Sequence, residues 1–387
     1  MNDSDETLVW KGERVPPAPV VSVCIPVVSN HGLIESCLNA LVDSRPSVDT
    51  EVVVVANGLP ESALTTLRNR DDIVLVYSAV NAGFSGGNNL AARFARGRFL
   101  LLLNDDSLVE PGFIDRLLRV VEGDPAIAAV GGKILSADGT LQEAGSVLWS
   151  DGWVAHAGAG LPADSPAYGY PRDVDYISAN GLLVDRQAWD LIGGLDERYF
   201  PAYYEDVDLC LALLHRGYRV VYEPQAQLRH LESQSTSAPF RNFLLVRNRA
   251  QLVAKWAALL QAFPDHPDPM DAAAIDAAVL RGDRSTNGAP GSFGGDAAGV
   301  PEVATPVAAD DTSRPDRDFT ESEARIRDEY IEYLELEMSR LQFVLDESDA
   351  AFRNLVDAFD EKERYIDSLF SVKAKKWILG RFPHGGT

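Results

Sequence analysis

Between Val20 and Phe263, short runs of unbroken apolar residues alternate with longer segments in which apolar side chains recur every three or four positions. VVSVCIPVV, EVVVVAN, IVLVYS and RFLLLLND are of the first kind, and each is followed by one of the second: HGLIESCLNALVDS, ESALTTLRNR, GNNLAARFARG and PGFIDRLLRVVEG. Strands that lack polar alternation are buried on both faces, so the pattern predicts an α/β fold with a mainly parallel central sheet and helices on each side. In such sheets ligands bind beyond the carboxyl ends of the strands. Those ends hold Ser29-Asn30, Asn57-Gly58, the loop from Asn81, and Asn104-Asp105-Asp106.

Beyond Gly123 the pattern is less regular. It offers Gly131-Gly132, the stretch SVLWSDGW, a strand near DYISANGLLV and a helix from about Tyr204 to Arg216 closed by Gly217. A strand, YRVVYEP, then leads to Arg229-His230, and an amphipathic helix from about Pro239 to Phe263 follows. Five segments are expected: an amino-terminal tail (1–19), a folded unit (20–264), a linker rich in Ala, Asp, Gly and Pro (265–319), an acidic heptad helix (320–370) and a basic aromatic end (371–387). The linker has too few large apolar residues to offset chain entropy.

The 387 residues are 46% apolar and 24% charged, values of a folded chain. A formal charge of −23 opposes the phosphate backbone that dominates nucleic-acid affinity, so no nucleic-acid partner is expected. Cys24, Cys37 and Cys210 lack paired metal-site spacing and read as structural thiols of a reducing compartment. The start, MNDSDETLVW, is acidic where a signal peptide is basic, and no run of about 18 apolar residues spans a membrane. A cytoplasmic location is expected.

Carboxylates that end a buried strand, as in LLLNDD, are costly unless they bind something, and hard oxygen ligands suit Mg²⁺ or Mn²⁺. The alternative is a polar turn before Pro111. The glycines of NAGFSGGNN allow close backbone approach, and the helix start after them would offer free N–H groups to an anion; Gly-rich turns of this kind are also common without ligands. Glu205, Asp206 and Asp208 begin a helix, where they either match its dipole or leave one carboxylate to act as a general base. His230 reads as a metal ligand or as a hydrogen-bonded packing residue.

In order and spacing these segments resemble the inverting family-2 glycosyltransferases of the GT-A (nucleotide-diphospho-sugar transferase) fold, particularly their rhamnosyltransferase-like and galactofuranosyltransferase-like branch. The resemblance spans about residues 20–240. VSVCIPVVSN is similar to the opening strand and nucleotide loop, NAGFSGGNN to an NxGFxxGNN signature, and LLLNDD to the DxD-type motif. The stretch GGLDERYFPAYYEDVDLCLALLHRGYRVVYEP, with His230 after it, is similar to the acceptor and base region. The resemblance implies a Mg²⁺ or Mn²⁺ ion held by Asp106 and His230 with Asn104 in the place of the first Asp, and Asp206 as catalytic base. It further implies a nucleotide-sugar site formed by Asn57, Asn81, Gly83, Asn88 and Asp105, and an acceptor side with Glu205, Asn180 and Gly181. Ala56 stands where many members have an Asp that contacts the nucleobase. The implied activity moves a sugar, dTDP-rhamnose being the first donor considered, to a cell-envelope saccharide or lipid-linked saccharide. A degenerate transferase-like scaffold and a nucleotide-cofactor oxidoreductase are the rival readings, the latter lacking GxGxxG after the first strand.

Ile331, Leu334, Met338, Leu341, Leu345, Phe352, Leu355, Phe359, Ile366 and Leu369 follow three- and four-residue steps interrupted at Ser348 and Lys362, an a/d seam that predicts a coiled coil or helical hairpin and a homo-oligomer. The end, with Lys373, Lys375, Lys376 and Arg381 among Phe370, Trp377 and Phe382, suits an anionic membrane surface at the inner face of the plasma membrane, or docking on protein.

Overall fold

A computed structural model describes residues 7–28, 32–231, 237–267 and 319–345. Its strands are β1 (Leu8–Lys11), β2 (Val21–Val27), β3 (Thr50–Asn57), β4 (Ile73–Ser78), β5 (Phe99–Leu102), β6 (Ser107–Val109), β7 (Ile127–Leu135), β8 (Leu141–Glu143), β9 (Ser146–Leu148), β10 (Val154–His156), β11 (Arg172–Asp173), β12 (Leu182–Asp185) and β13 (Arg219–His230). The helices are α1 (Leu33–Ser44), α2 (Thr65–Arg68), α3 (Gly83–Phe94), α4 (Phe113–Gly123), α5 (Arg186–Ile192), α6 (Glu205–His215), α7 (Ala238–Leu260) and α8 (Phe319–Leu345).

Eleven strands form one sheet in the order β1, β4, β3, β2, β5, β12, β7, β13, β11, with β6 added to β13 and β8 to β7. Strands β2, β3, β4 and β5 run parallel, as do β7 and β13. The unbroken apolar strands arise because both faces are covered. Leu100 and Leu102 of β5 enter one core with Cys24, Val53 and Val55, while Phe99, Leu101 and Leu103 enter the other with Val23, Ile25 and Val54.

The central strand β12 is antiparallel to both neighbours, β5 and β7. Its first residue, Leu182, therefore lies opposite Leu102 at the end of β5, and Gly181 N–H donates to the Leu102 carbonyl at 2.8 Å. The reversal brings Asn180 and Gly181 to the edge where Asn104 to Asp106 emerge. Gly181 has φ +88° and packs against the Leu228 side chain, so a β-carbon would be both strained and obstructed there.

Three expectations need correction. The stretch read as an amino-terminal tail supplies the edge strand β1, paired antiparallel with β4 from Leu8 opposite Tyr77 to Lys11 opposite Val74. Four residues in a polar context give too short a pattern to read as a strand. The strand YRVVYEP continues to His230, with a register shift between Glu223 and Gln227 that carries it past Pro224. The strand near DYISANGLLV is confined to β12, because amides ahead of it are taken by side-chain carboxylates rather than by a ladder: Ser178 N–H donates to Glu143 Oε1 and Ala179 N–H to Asp206 Oδ2.

The chain divides into two units, Met1–Glu323 and Ala324–Thr387. Within the second, α8 carries the first seam positions, Ile331 and Leu334, and an Arg325–Glu329 ion pair one turn apart at 3.8 Å. The linker residues 268–318, the rest of the heptad pattern (346–370) and the basic aromatic end (371–387) lie outside the described residues. No helix among the described residues is long and apolar enough to cross a membrane. All three cysteines are buried and unpaired, and burial pushes their thiols up, Cys24 to about 12.

Candidate active site

The NAGF turn is held by its own asparagines. Asn57, at the end of β3 and buried, donates from Nδ2 to the Gly83 carbonyl at 2.9 Å and to Asn81 Oδ1 at 3.2 Å, and its Oδ1 accepts from Ala82 N–H at 2.8 Å. Asn81 Oδ1 also accepts from Gly83 N–H at 2.9 Å. Phe84 N–H donates to the Pro201 carbonyl at 2.7 Å. Gly83 is required twice over: its φ is +68°, and a β-carbon would stand 2.6 Å from the Pro201 oxygen. The expectation that this helix start offers free N–H groups to an anion is thereby corrected at Ala82, Gly83 and Phe84, whose donors already have protein acceptors. Asn88, fully buried, donates from Nδ2 to the Phe84 carbonyl at 3.0 Å while its Oδ1 has no hydrogen-bond partner.

On the carboxylate side, β6 pairs with the end of β13 so that Ser107 lies opposite His230. This sets His230 Nε2 3.1 Å from Asp106 Oδ1 and 3.5 Å from Asn104 Nδ2. The other ring nitrogen, Nδ1, lies 3.1 Å from Gln142 Oε1. An amide oxygen can only accept, which assigns the proton of a neutral ring to Nδ1 and turns the Nε2 lone pair toward the Asp106 carboxylate. A lone pair facing a buried carboxylate is a donor set for a cation. Asp105, alongside, is pushed up to about 7 by burial and then by the charge of Asp106. Among the described residues no group of three His, Cys, Asp or Glu side chains is placed to hold a metal ion, so Asp106 and His230 make a half-site that fits a divalent ion completed by ligand oxygens.

A second group of carboxylates is built at the amino end of α6. Tyr203 and Tyr204 both hold left-handed backbone, φ +77° and +76°, an arrangement that costs energy for large side chains and persists only where neighbours enforce it. Asn248 of α7 enforces it, donating from Nδ2 to the carbonyls of Tyr199, Ala202 and Tyr203 at 3.1, 2.9 and 2.9 Å. The three acidic residues that follow have separate fates. Asp208 is buried and accepts from Tyr199 Oη at 3.0 Å, Lys255 Nζ at 2.7 Å and Trp256 Nε1 at 2.7 Å, which commits it to tying α6 to α7. Glu205 is buried, and burial with the charge of Asp206 pushes it far above the carboxylate range; its Oε2 has no hydrogen-bond partner. Asp206 is half-buried, accepts from Val207 N–H at 2.8 Å and Ala179 N–H at 3.4 Å, and is pushed up to about 6 by burial and then by Glu143.

Residues 178–180 join these two sides. Ala179 N–H reaches Asp206, while Asn180 Oδ1 accepts from Ser107 Oγ at 2.8 Å and from Asn104 N–H at 3.3 Å. The Asp206 carboxylate and the residues close to Asp106 on either side, Asn104 and Ser107, are thus bonded to consecutive residues of one segment.

A model of the family described as "Glycosyltransferase like family 2" matches residues 16–251, more than half of the chain. The chain belongs to glycosyltransferase family 2. Among curated relatives, the family-2 domain is 32% identical over 230 residues to the O-antigen biosynthesis protein RfbC of Myxococcus xanthus, covering 57% of this chain and 18% of that one. It is 31% identical over 166 residues to an N-acetylglucosaminyl-diphospho-decaprenol L-rhamnosyltransferase of Mycobacterium tuberculosis, covering 40% of this chain and 54% of that one. The chain therefore spans a fifth to about half of these relatives. Among solved structures, a crystal structure of GalNAc-T7 with UDP, GalNAc and Mn²⁺ superposes with a TM-score of 0.51 at 13% identity, covering 63% of this chain and 49% of that one. The family-2 domain has the GT-A fold, as the sequence resemblance implied.

The sequence reading missed Glu143, Ser146, His156 and Tyr176, which cluster beside Asp206. Ser146 Oγ donates to Glu143 Oε1 at 2.9 Å, and His156 Nδ1 lies 3.0 Å from Ser146 Oγ and 3.4 Å from Glu143 Oε2. Glu143, Ser146 and His156 sit on strands of three residues, too short for a periodic signal, and Tyr176 lies in the loop before β12. A cleft of about 200 Å³ lined by Val27, Ile34, Leu59, Ala63, Thr66 and Leu67 opens near the carboxyl ends of β2 and β3, apart from these carboxylates.

Proposed function

We propose that this family-2 domain transfers a sugar, with inversion, from a nucleotide diphosphate donor to a hydroxyl of a cell-envelope saccharide or lipid-linked saccharide. The observation that carries the reading is the pairing of the Asp106–His230 half-site with the half-buried Asp206 carboxylate through residues 178–180. Asp206 accepts the acceptor hydroxyl's proton as its oxygen attacks the anomeric carbon, and the bond to the diphosphate breaks with its electron pair leaving on the phosphate. One displacement needs no enzyme nucleophile. Asp106 and His230, with Asn104 beside them, would hold Mg²⁺ or Mn²⁺, which when bound neutralises charge on the departing diphosphate.

A rhamnosyltransferase and an O-antigen biosynthesis protein among the relatives support an envelope acceptor and dTDP-rhamnose as first donor, with UDP-galactofuranose and UDP-N-acetylhexosamine next. The mycobacterial relative's decaprenol-linked acceptor also fits a domain that works at the cytoplasmic face of a membrane, where the acidic heptad segment would assemble copies and the basic aromatic end would bind anionic lipid. Release of nucleoside diphosphate across a donor panel, with acceptors and Mn²⁺ or Mg²⁺ supplied, tests the reading. Turnover in one pairing that is lost in Asp206→Asn supports it, and silence in every pairing rejects it.

A further inference from the structure

Glu143 and His156 are not used by the reaction as derived above, yet they sit against its base. Glu143 is buried, and its Oε1 accepts from Ser178 N–H at 3.1 Å, while the next amide, Ala179 N–H, donates to Asp206. The two carboxylates therefore bind consecutive amides of one segment. The Ser146 hydroxyl has one hydrogen, which goes to Glu143 Oε1, so its contact with His156 Nδ1 and the nearby Glu143 Oε2 both place the ring proton on Nδ1. In the neutral ring the lone pair is then on Nε2, and the side chain is 46% exposed. A buried carboxylate that fixes a histidine through Nδ1 and leaves the lone pair on Nε2 is the arrangement by which an imidazole is prepared to take a proton.

We propose that Glu143 and His156 form a dyad that serves Asp206: Glu143 fixes the ring, and Nε2 of His156 takes up, through water, the proton Asp206 receives from the acceptor. The proposal rests on the reaction proposed above. The proton balance closes, because the acceptor hydroxyl gives its proton to Asp206, Asp206 gives it to His156, and His156 gives it to solvent, which returns both groups to their starting state. His156 is a positioning and relay residue and touches neither substrate. The titratable groups interacting with Asp206 are Glu143 from β8, His156 from β10, Tyr176 and Tyr204 from the loops before β12 and α6, and Glu205 and Cys210 from its own helix. Glu143 holds the Asp206 proton more tightly and a charged His156 loosens it, which is the polarity a relay needs.

The test uses the full chain and two readouts. In turnover, His156→Ala is expected to lower kcat at least about tenfold with donor KM unchanged, and imidazole buffer is expected to restore it, since the missing group is a proton carrier. In ¹³C-carboxyl titration, which needs no turnover, His156→Ala should move Asp206 to higher pH and Glu143→Gln should move it to lower pH. An unchanged kcat, or a loss that imidazole leaves in place, overturns the relay. If no donor and acceptor pair turns over in the wild type, the proposed reaction fails, and an Asp206 titration unmoved in His156→Ala and His156→Gln overturns the dyad separately.

Discussion

Asn248 offers a measurable link between backbone strain and chemistry. It is fully buried, and its two Nδ2 hydrogens are shared among three carbonyls at 2.9 to 3.1 Å, while Arg247 Nη1 donates to its Oδ1 at 2.8 Å. Asn248→Ala removes both hydrogens at once. A buried carbonyl left without a donor costs about 1–3 kcal/mol, so stranding two would cost about 2–6 kcal/mol. Part of that is recovered as Tyr203 and Tyr204 relax from their left-handed backbone, a conformation that costs about 1–3 kcal/mol per residue. The relaxation moves the first turn of α6, and a displacement of about 1 Å at a reacting group can lower turnover about 100-fold. Asn248→Asp should be worse than the alanine variant at pH 7, because it points a carboxylate at three carbonyls. Urea unfolding and steady-state turnover on the three proteins check this. An alanine variant within about 0.5 kcal/mol of wild type, or an aspartate variant more stable than the alanine one, would refute the reasoning.

Two further outcomes are expected. Under the proposed reaction Asp206 must be ionised to accept a proton, and since it is pushed up to about 6, kcat/KM should be flat above that pH and fall about tenfold per unit below it, as a pH–rate profile would show. Lys255→Met should destabilise by up to about 3 kcal/mol at pH 7, because it leaves the buried Asp208 charge without its cation. Burial already raises the Asp208 proton affinity on folding, and the variant raises it further, so the deficit is present at high pH and shrinks as pH falls and Asp208 protonates. Urea titrations at pH 7 and pH 5 check the sign, and equal losses at both would contradict it.

The parallel core was legible because β2, β3, β4 and β5 are unbroken apolar runs, a pattern that only burial on both faces produces. That Asp106 and His230 meet could not be read from spacing, since 124 residues separate them in the chain and sheet register alone unites them. The role of Asp208 was hidden because Lys255 and Trp256 come 47 and 48 residues later, on another helix. Glu143 and His156 were hidden for a different reason: their segment is held by side-chain-to-amide bonds, which leave no periodic trace. The asparagines of the NAGF turn were visible as a motif, but composition does not reveal whether an amide faces a ligand or its own loop.

One hydrogen bond, from Phe84 N–H to the Pro201 carbonyl, ties the first turn of α3 to the loop that leads into Asp206. Under the proposed reaction the donor occupies the first of these places and the acceptor approaches the second. Two ligands that strain or relax the same bond share a free energy, and thermodynamics makes that sharing reciprocal: whatever factor the donor adds to acceptor affinity, the acceptor must add to donor affinity. A substitution in the loop before α6 would then alter nucleotide-sugar affinity without touching the nucleotide, so donor preference and acceptor preference in this chain would not diverge independently.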